Sequence, residues 1–152
     1  MRALTASLCA LFLVLSPIAV SAQEEWVTKT TDRSVDEAVE ALTGAIESAG
    51  AKVMATINHA ENAASADLDL PSTTVVIFGN PRIGTPLMQE NRRVAIDLPQ
   101  KMLIWDDGGQ TTIGYVSAEA LAARHGLDAS SESIRKMAGA LDKLSSAAAG
   151  AE

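Results

Sequence analysis

Two runs of strand-forming residues, 101–105 and 111–116, are separated by a segment carrying Asp107-Gly108-Gly109. This is a hairpin signal, because paired glycines reach the positive φ angles that a tight reversal between strands requires. A hairpin makes its strands neighbours and antiparallel, so the fold must accommodate an antiparallel sheet. The rest of the chain supplies helices to cover it. Ser34 and Glu37 form a capping box, Val35, Ala38, Val39, Leu42 and Ile46 follow at helical spacing, and Gly50 ends the run. Residues 26–31 and 52–57 alternate as half-buried strands do, and Asn58 with Glu61 predicts a short capped helix next. Residues 74–78 are β-branched and aromatic without polar alternation, which predicts a central strand buried on both faces. Ser117 begins a helix that stops at Gly126, and Ile134, Met137, Ala138, Leu141 and Leu144 mark a last amphipathic one. The order β-α-β-(α)-β-(α)-β-β-α gives an α+β class with a mostly antiparallel sheet.

The N-terminus has its own logic. Arg2 precedes an apolar stretch, residues 4–20, that is shorter than the roughly 20 residues of a spanning helix and is interrupted by Ser16-Pro17. Val20-Ser21-Ala22 presents small or branched residues where a signal peptidase reads, so residues 1–22 are expected to be a cleaved signal peptide. The chain that starts at Gln23 then works in the periplasm or as a secreted protein. Residues 23–127 are expected to form one α+β domain, and residues 128–152 an amphipathic helix with a tail, 145–152, that frays. Cys9 leaves with the signal, so neither a disulfide nor thiol chemistry remains. The formal charge of −7 becomes −8 on losing Arg2, and an acidic surface repels nucleic acid and anionic membrane surfaces.

Residues 78–88 read FGNPRIGTPLM. The segment leaves the apolar strand, turns through Gly79, Asn80 and Pro81, and is expected to enter a helix with Thr85 as N-cap and Pro86 at the first helical position. Backbone N–H groups of Gly84 and Thr85 would then face outward at the positive end of a helix dipole, and Arg82 could close over an anion or carbonyl oxygen. A well-capped turn with a solvated arginine explains the same residues with no ligand.

The string at residues 78–88 resembles the hallmark of the family called domain of unknown function 302. Ile57-Asn58-His59-Ala60, Asp97-Leu98-Pro99 with Lys101, Trp105-Asp106-Asp107 and Arg124-His125-Gly126-Leu127 follow the same family's order, over roughly residues 27–127. Asn58 stands where the family usually has aspartate, and both residues cap helices. Gln100 replaces a residue usually apolar, which suggests an exposed edge. The resemblance implies a sheet of about five mostly antiparallel strands backed by helices, similar to the TATA-binding-protein-like β-α-β(4)-α architecture. It also implies frequent homodimers, with no established reaction and no DNA binding, since function lives in sites and not in folds.

His59, in a first helical turn, would keep a neutral imidazole available as a base, or would simply pack. His59 and His125 share no helix or strand, and no cysteine ligand is left once Cys9 is removed with the signal, so neither a metal nor another cofactor is expected. His125 is expected to interact with its helix C-terminus, and Asp97 with Lys101 to form a surface ion pair. Asp106 and Asp107 serve the turn. Met54, Met88, Met102 and Met137 read as core or cleft lining. The leading functional reading is a module that binds a small ligand or a protein partner through His59, Asn80, Arg82, Gly84, Thr85, Met88 and Lys101. The alternatives are an enzyme with His59 as base and Arg82 as anion stabiliser, and a structural or homo-oligomeric protein.

Overall fold

The computed structural model describes residues 25–151, so residues 1–22, expected from the sequence to be a signal peptide, lie outside the described residues. Five strands form one sheet: β1 (Trp26–Thr31), β2 (Lys52–Asn58), β3 (Thr73–Gly79), β4 (Gln100–Asp107) and β5 (Gln110–Val116). Their spatial order is β1-β5-β4-β3-β2, and every neighbouring pair is antiparallel. The hairpin closes through Gly108 and Gly109, both at positive φ, and Asp106 Oδ1 accepts the Gly109 N–H. Asp106 thus serves the turn through its side chain, while Asp107 ends β4 in register with Gln110.

The helices are α1 (Val35–Ser48), α2 (His59–Ala64), α3 (Pro81–Glu90), α4 (Ala118–His125) and α5 (Glu132–Ala149), with a single-turn 3-10 helix at Arg92–Ile96. The capping box at Ser34 and Glu37 is formed, and Val35, Ala38, Leu42 and Ile46 are the buried stripe of α1. Accepting the Ser34 backbone N–H lowers the Glu37 carboxyl below its ordinary range. α1 packs beside α5, and the two cover one face of the sheet. There they bury Val76 and Phe78 of β3, Met102 and Ile104 of β4, and Ile113 and Tyr115 of β5. Each large side chain so buried contributes about 1.5–3 kcal/mol.

Two expectations are corrected here. β3 alternates between buried and half-buried residues, because helices cover only one face of the sheet. Val75 and Ile77 point to the other, open face, with Leu103 and Lys101 of β4 beside them in register and Trp105 beside Thr73. On that face the rings of Trp26 and Trp105 lie over Gly114, where a Cβ would come within 2.9–3.1 Å of ring atoms. The second correction concerns the C-terminus. α5 continues to Ala149, with Ser145 and Ala148 fully buried, because Thr31 and Arg33 bind its last carbonyl oxygens. The terminal helix completes the core of the same domain.

Candidate functional site

At the end of the sheet where β3 stops and β2 begins, the helices and strands do not fully close. A cleft of about 420 Å³ remains there. Its walls are Ala49 and Ala51 after α1, Phe78 and Gly79 of β3, the inner side of α3, and Leu98, Pro99 and Gln100 leading into β4. Met137, Ala140, Leu141 and Leu144 of α5 close one side, at the spacing that puts them on one helix face. Met54 reaches the cleft from a bulge in β2, where the register shifts between Val53 and Ala55 and leaves Met54 as the extra residue. Among the described residues, no Asp, Glu, Lys, Arg or His lines it.

α3 starts earlier than its sequence suggests. Asn80 is the N-cap, its Oδ1 accepting the Arg82 N–H at 3.0 Å, and Pro81 takes the first helical position. The segment contains two cap-proline pairs, Asn80-Pro81 and Thr85-Pro86, and the stronger capping residue sets the start. The Gly84 N–H therefore donates to the Asn80 carbonyl and is not turned outward to a ligand. Pro86 sits inside the helix, and its missing N–H leaves the Arg82 carbonyl without the usual helical donor. Thr85 is exposed at the cleft rim in the second turn.

Of the seven expected site residues, Asn80, Gly84, Thr85 and Met88 line the cleft together. The three with a titratable or cationic side chain stand elsewhere. Arg82 is on the exposed side of α3 and, among the described residues, makes no salt bridge. His59 is exposed at the start of α2, where Asn58 caps the helix by accepting the Glu61 N–H. Gly79 pairs with Lys52 and Thr74 with Asn58, so most of the length of β2, roughly 15 Å from Met54 onward, separates His59 from the cleft. The pairing of His59 with Arg82 that an enzyme would need is thus not made. Lys101 pairs in register with Ile77, which puts it on the open face, and its ammonium donates to the carbonyl oxygens of Asp97 and Pro99.

The Asp97 carboxylate turns instead to α4. It meets His125 Nε2 at 2.5 Å and Arg124 at 3.4 Å, with the His125 side chain only 9% exposed. His125 thus holds the turn before β4, which replaces both the expected contact with its own helix end and the expected Asp97–Lys101 pair. Among the described residues, no three His, Asp or Glu side chains gather as metal ligands would.

The residue missed at the sequence level is Gln100. It opens β4 in register with Phe78 of β3, ahead of the stretch where β4 pairs with β5, and Met137 of α5 meets its side chain, so it is not at an exposed edge. It is half-buried in the cleft wall, and its Nε2 donates to Met137 Sδ at 3.0 Å. Met54, Met88 and Met137 line the cleft and Met102 is core, which agrees with their sequence reading.

A model of the domain of unknown function DUF302 matches residues 27–144. A protein called fluoride-specific ion channel FluC 1 from Brucella suis biovar 1 is 38% identical over 117 residues, which is 76% of this chain and 46% of that protein. Proteins called FluC 1 from Brucella abortus and FluC 2 from Brucella melitensis match equally, over 43% of their length. The chain thus spans about half the length of the curated relatives it matches. The crystal structure of an uncharacterised conserved DUF302 protein from Bacillus stearothermophilus superposes with a TM-score of 0.69 at 19% identity, covering 84% of this chain and 98% of that one. The fold is shared with that structure, and the chain belongs to the DUF302 family.

Proposed function

We propose that the protein binds a small, predominantly apolar molecule in the cleft between α3, α5 and the ends of β3 and β4. One observation carries this reading: a concave volume of about 420 Å³ whose lining is almost wholly aliphatic, thioether or aromatic and carries no charge. That volume falls within the roughly 300–1,000 Å³ of small-molecule sites. An anion there would lose its water and gain no counter-charge, so the anion-clamp version of the loop gives way to an apolar ligand. The same argument removes ion conduction as the role of this cleft, although the Brucella relatives carry the name of fluoride channels.

Nile red, a neutral dye that brightens in apolar surroundings, tests the site. A Cβ built on Gly84 has ordinary room, 3.6 Å from Leu98 and 4.0 Å from Met88, so a larger side chain there grows into the cleft. Gly84→Leu is expected to abolish dye uptake while keeping the melting temperature, and Arg82→Ala to leave uptake unchanged. Undiminished uptake by Gly84→Leu would place the dye elsewhere and remove the proposal.

The place of action proposed with it is outside the cytoplasm, on the strength of Arg2, the apolar residues 4–20 and Val20-Ser21-Ala22. Intact mass of the chain recovered from cells is the check: it should begin at Gln23, and a retained Met1 would end this part of the proposal.

The open face of the sheet favours a second reading, self-association, because among the described residues no helix covers half-exposed Trp26 and the apolar side chains of β3 and β4. Five strands about 4.8 Å apart and roughly 20 Å long present on the order of 500 Å² of flat face. Stable interfaces need roughly 800 Å² per partner, so this reading ranks behind the cleft.

A further inference from the structure

We infer that Gln100 selects the ligand, and that the cleft is matched to a neutral molecule with an apolar body and one oxygen acceptor, such as a long-chain ketone, ester or alcohol. The inference rests on the cleft being the binding site proposed above and adds the class of molecule it takes. Gln100 pairs in register with Phe78 at the start of β4, and its half-buried amide lies in the cleft wall. Its Nε2 donates to Met137 Sδ at 3.0 Å. A thioether sulfur is a weak acceptor, so a strong donor is held at the cleft by a poor partner. A carbonyl or hydroxyl oxygen entering the cleft offers the amide a better one. Methionine is unbranched and adaptable, so the Met137 sulfur can yield its place without breaking the packing around it.

The other polar residues of the lining do not compete for this role. Asn80 is engaged by its own helix through the Arg82 N–H, and its Nδ2 points to the Gly50 carbonyl at 3.5 Å. Thr85 stands exposed at the rim, facing solvent and not the cleft interior. The charge of the ligand is set by what is missing from the lining. With no basic side chain there, a carboxylate head would be desolvated without compensation. A pure alkane would fit the walls but would leave the amide on its sulfur.

Displacement of Nile red by three chains of equal length separates these cases: undecane, undecanone and undecanoate. The unaltered protein is expected to prefer undecanone over undecane by about two- to tenfold, the effect of one net hydrogen bond. Undecanoate should be the weakest of the three. In Gln100→Leu, and in Gln100→Met should the leucine variant fold poorly, the ratio of undecanone to undecane displacement is expected to fall to about one, whatever the change in affinity for the dye, whose own carbonyl also meets Gln100. Equal displacement by undecane and undecanone in the unaltered protein overturns the inference. So does a preference that survives both substitutions, or undecanoate as the best competitor. Uptake that falls as protein concentration rises would mean that a second copy fills the cleft, and would overturn it too. Failure of the unaltered protein to take up any dye strikes the binding site itself, a result distinct from loss of the ketone preference.

Discussion

A guanidinium keeps its water unless a partner replaces it, and removing that water with no counter-charge costs several kcal/mol. Arg82 lies on the outer side of α3 and Lys101 on the open face of the sheet, while Gln100, neutral, faces the cleft. The sorting follows desolvation: the amide needs only a weak partner to be tolerated there, and Met137 supplies it. Sequence reading weighted Arg82 and His59 because charged groups carry recognisable chemistry. It could not see that β2 places His59 at the far end of the sheet. The four loop residues Asn80, Gly84, Thr85 and Met88 were legible as a group, because a strand ending in a punctuated turn before a helix marks a place where clefts form. Gln100 had one legible signal, a polar residue at a position the resembling family keeps apolar. Whether such a residue meets solvent or a cavity depends on α5, which lies 37 residues further along the chain at Met137.

The start of α3 decides which backbone donors are available. Two Asx/Thr-Pro pairs five residues apart compete, and nothing local excludes either. Asparagine exceeds threonine as an N-cap, and starting at Asn80 adds about one and a half turns of helix, residues 81–85, whose Ile83 packs against the core. Asn80→Ala is therefore expected to cost about 1 kcal/mol in urea unfolding. Thr85→Ala replaces an exposed, non-capping helical residue and should stay within about 0.5 kcal/mol of zero. The reverse order of the two losses would mean that the helix starts at Thr85 and that its first N–H groups are free for a ligand after all. Helix α1 was readable to its ends because capping box, apolar stripe and terminal glycine agree there. β3 was read only in part: its five apolar or threonine residues look alike whether one face of the sheet is covered or both.

The whole molecule is held shut by contacts between its first strand and its last helix. Lys29 binds the Asp142 carboxylate and the Ser146 hydroxyl, each at 2.7 Å, and Thr31 Oγ1 donates to the Ala149 carbonyl at 2.8 Å. Arg33 donates to the carbonyl oxygens of Ala147 and Ala148 at 2.8 and 3.0 Å. A helix leaves its last carbonyls unsatisfied and negative, and a guanidinium placed there supplies both donors and charge. Gly150, at φ 76°, adds the left-handed cap, and a Cβ there would press within 3.1–3.4 Å of the guanidinium. Small, alanine-rich residues at the end of a chain read as a tail, whereas here long-range hydrogen bonds convert them into a docked helix. Because the same helix contributes Met137, Leu141 and Leu144 to the cleft, its anchoring also fixes that wall. Arg33→Ala is thus expected to cost about 1.5–3 kcal/mol, the range for hydrogen bonds to a charged group. Hydrogen exchange should show the added opening concentrated in the last turns of α5, with α1 still protected. A loss under about 0.5 kcal/mol, the level of an ordinary surface change, would mean that the helix holds its place by apolar burial alone.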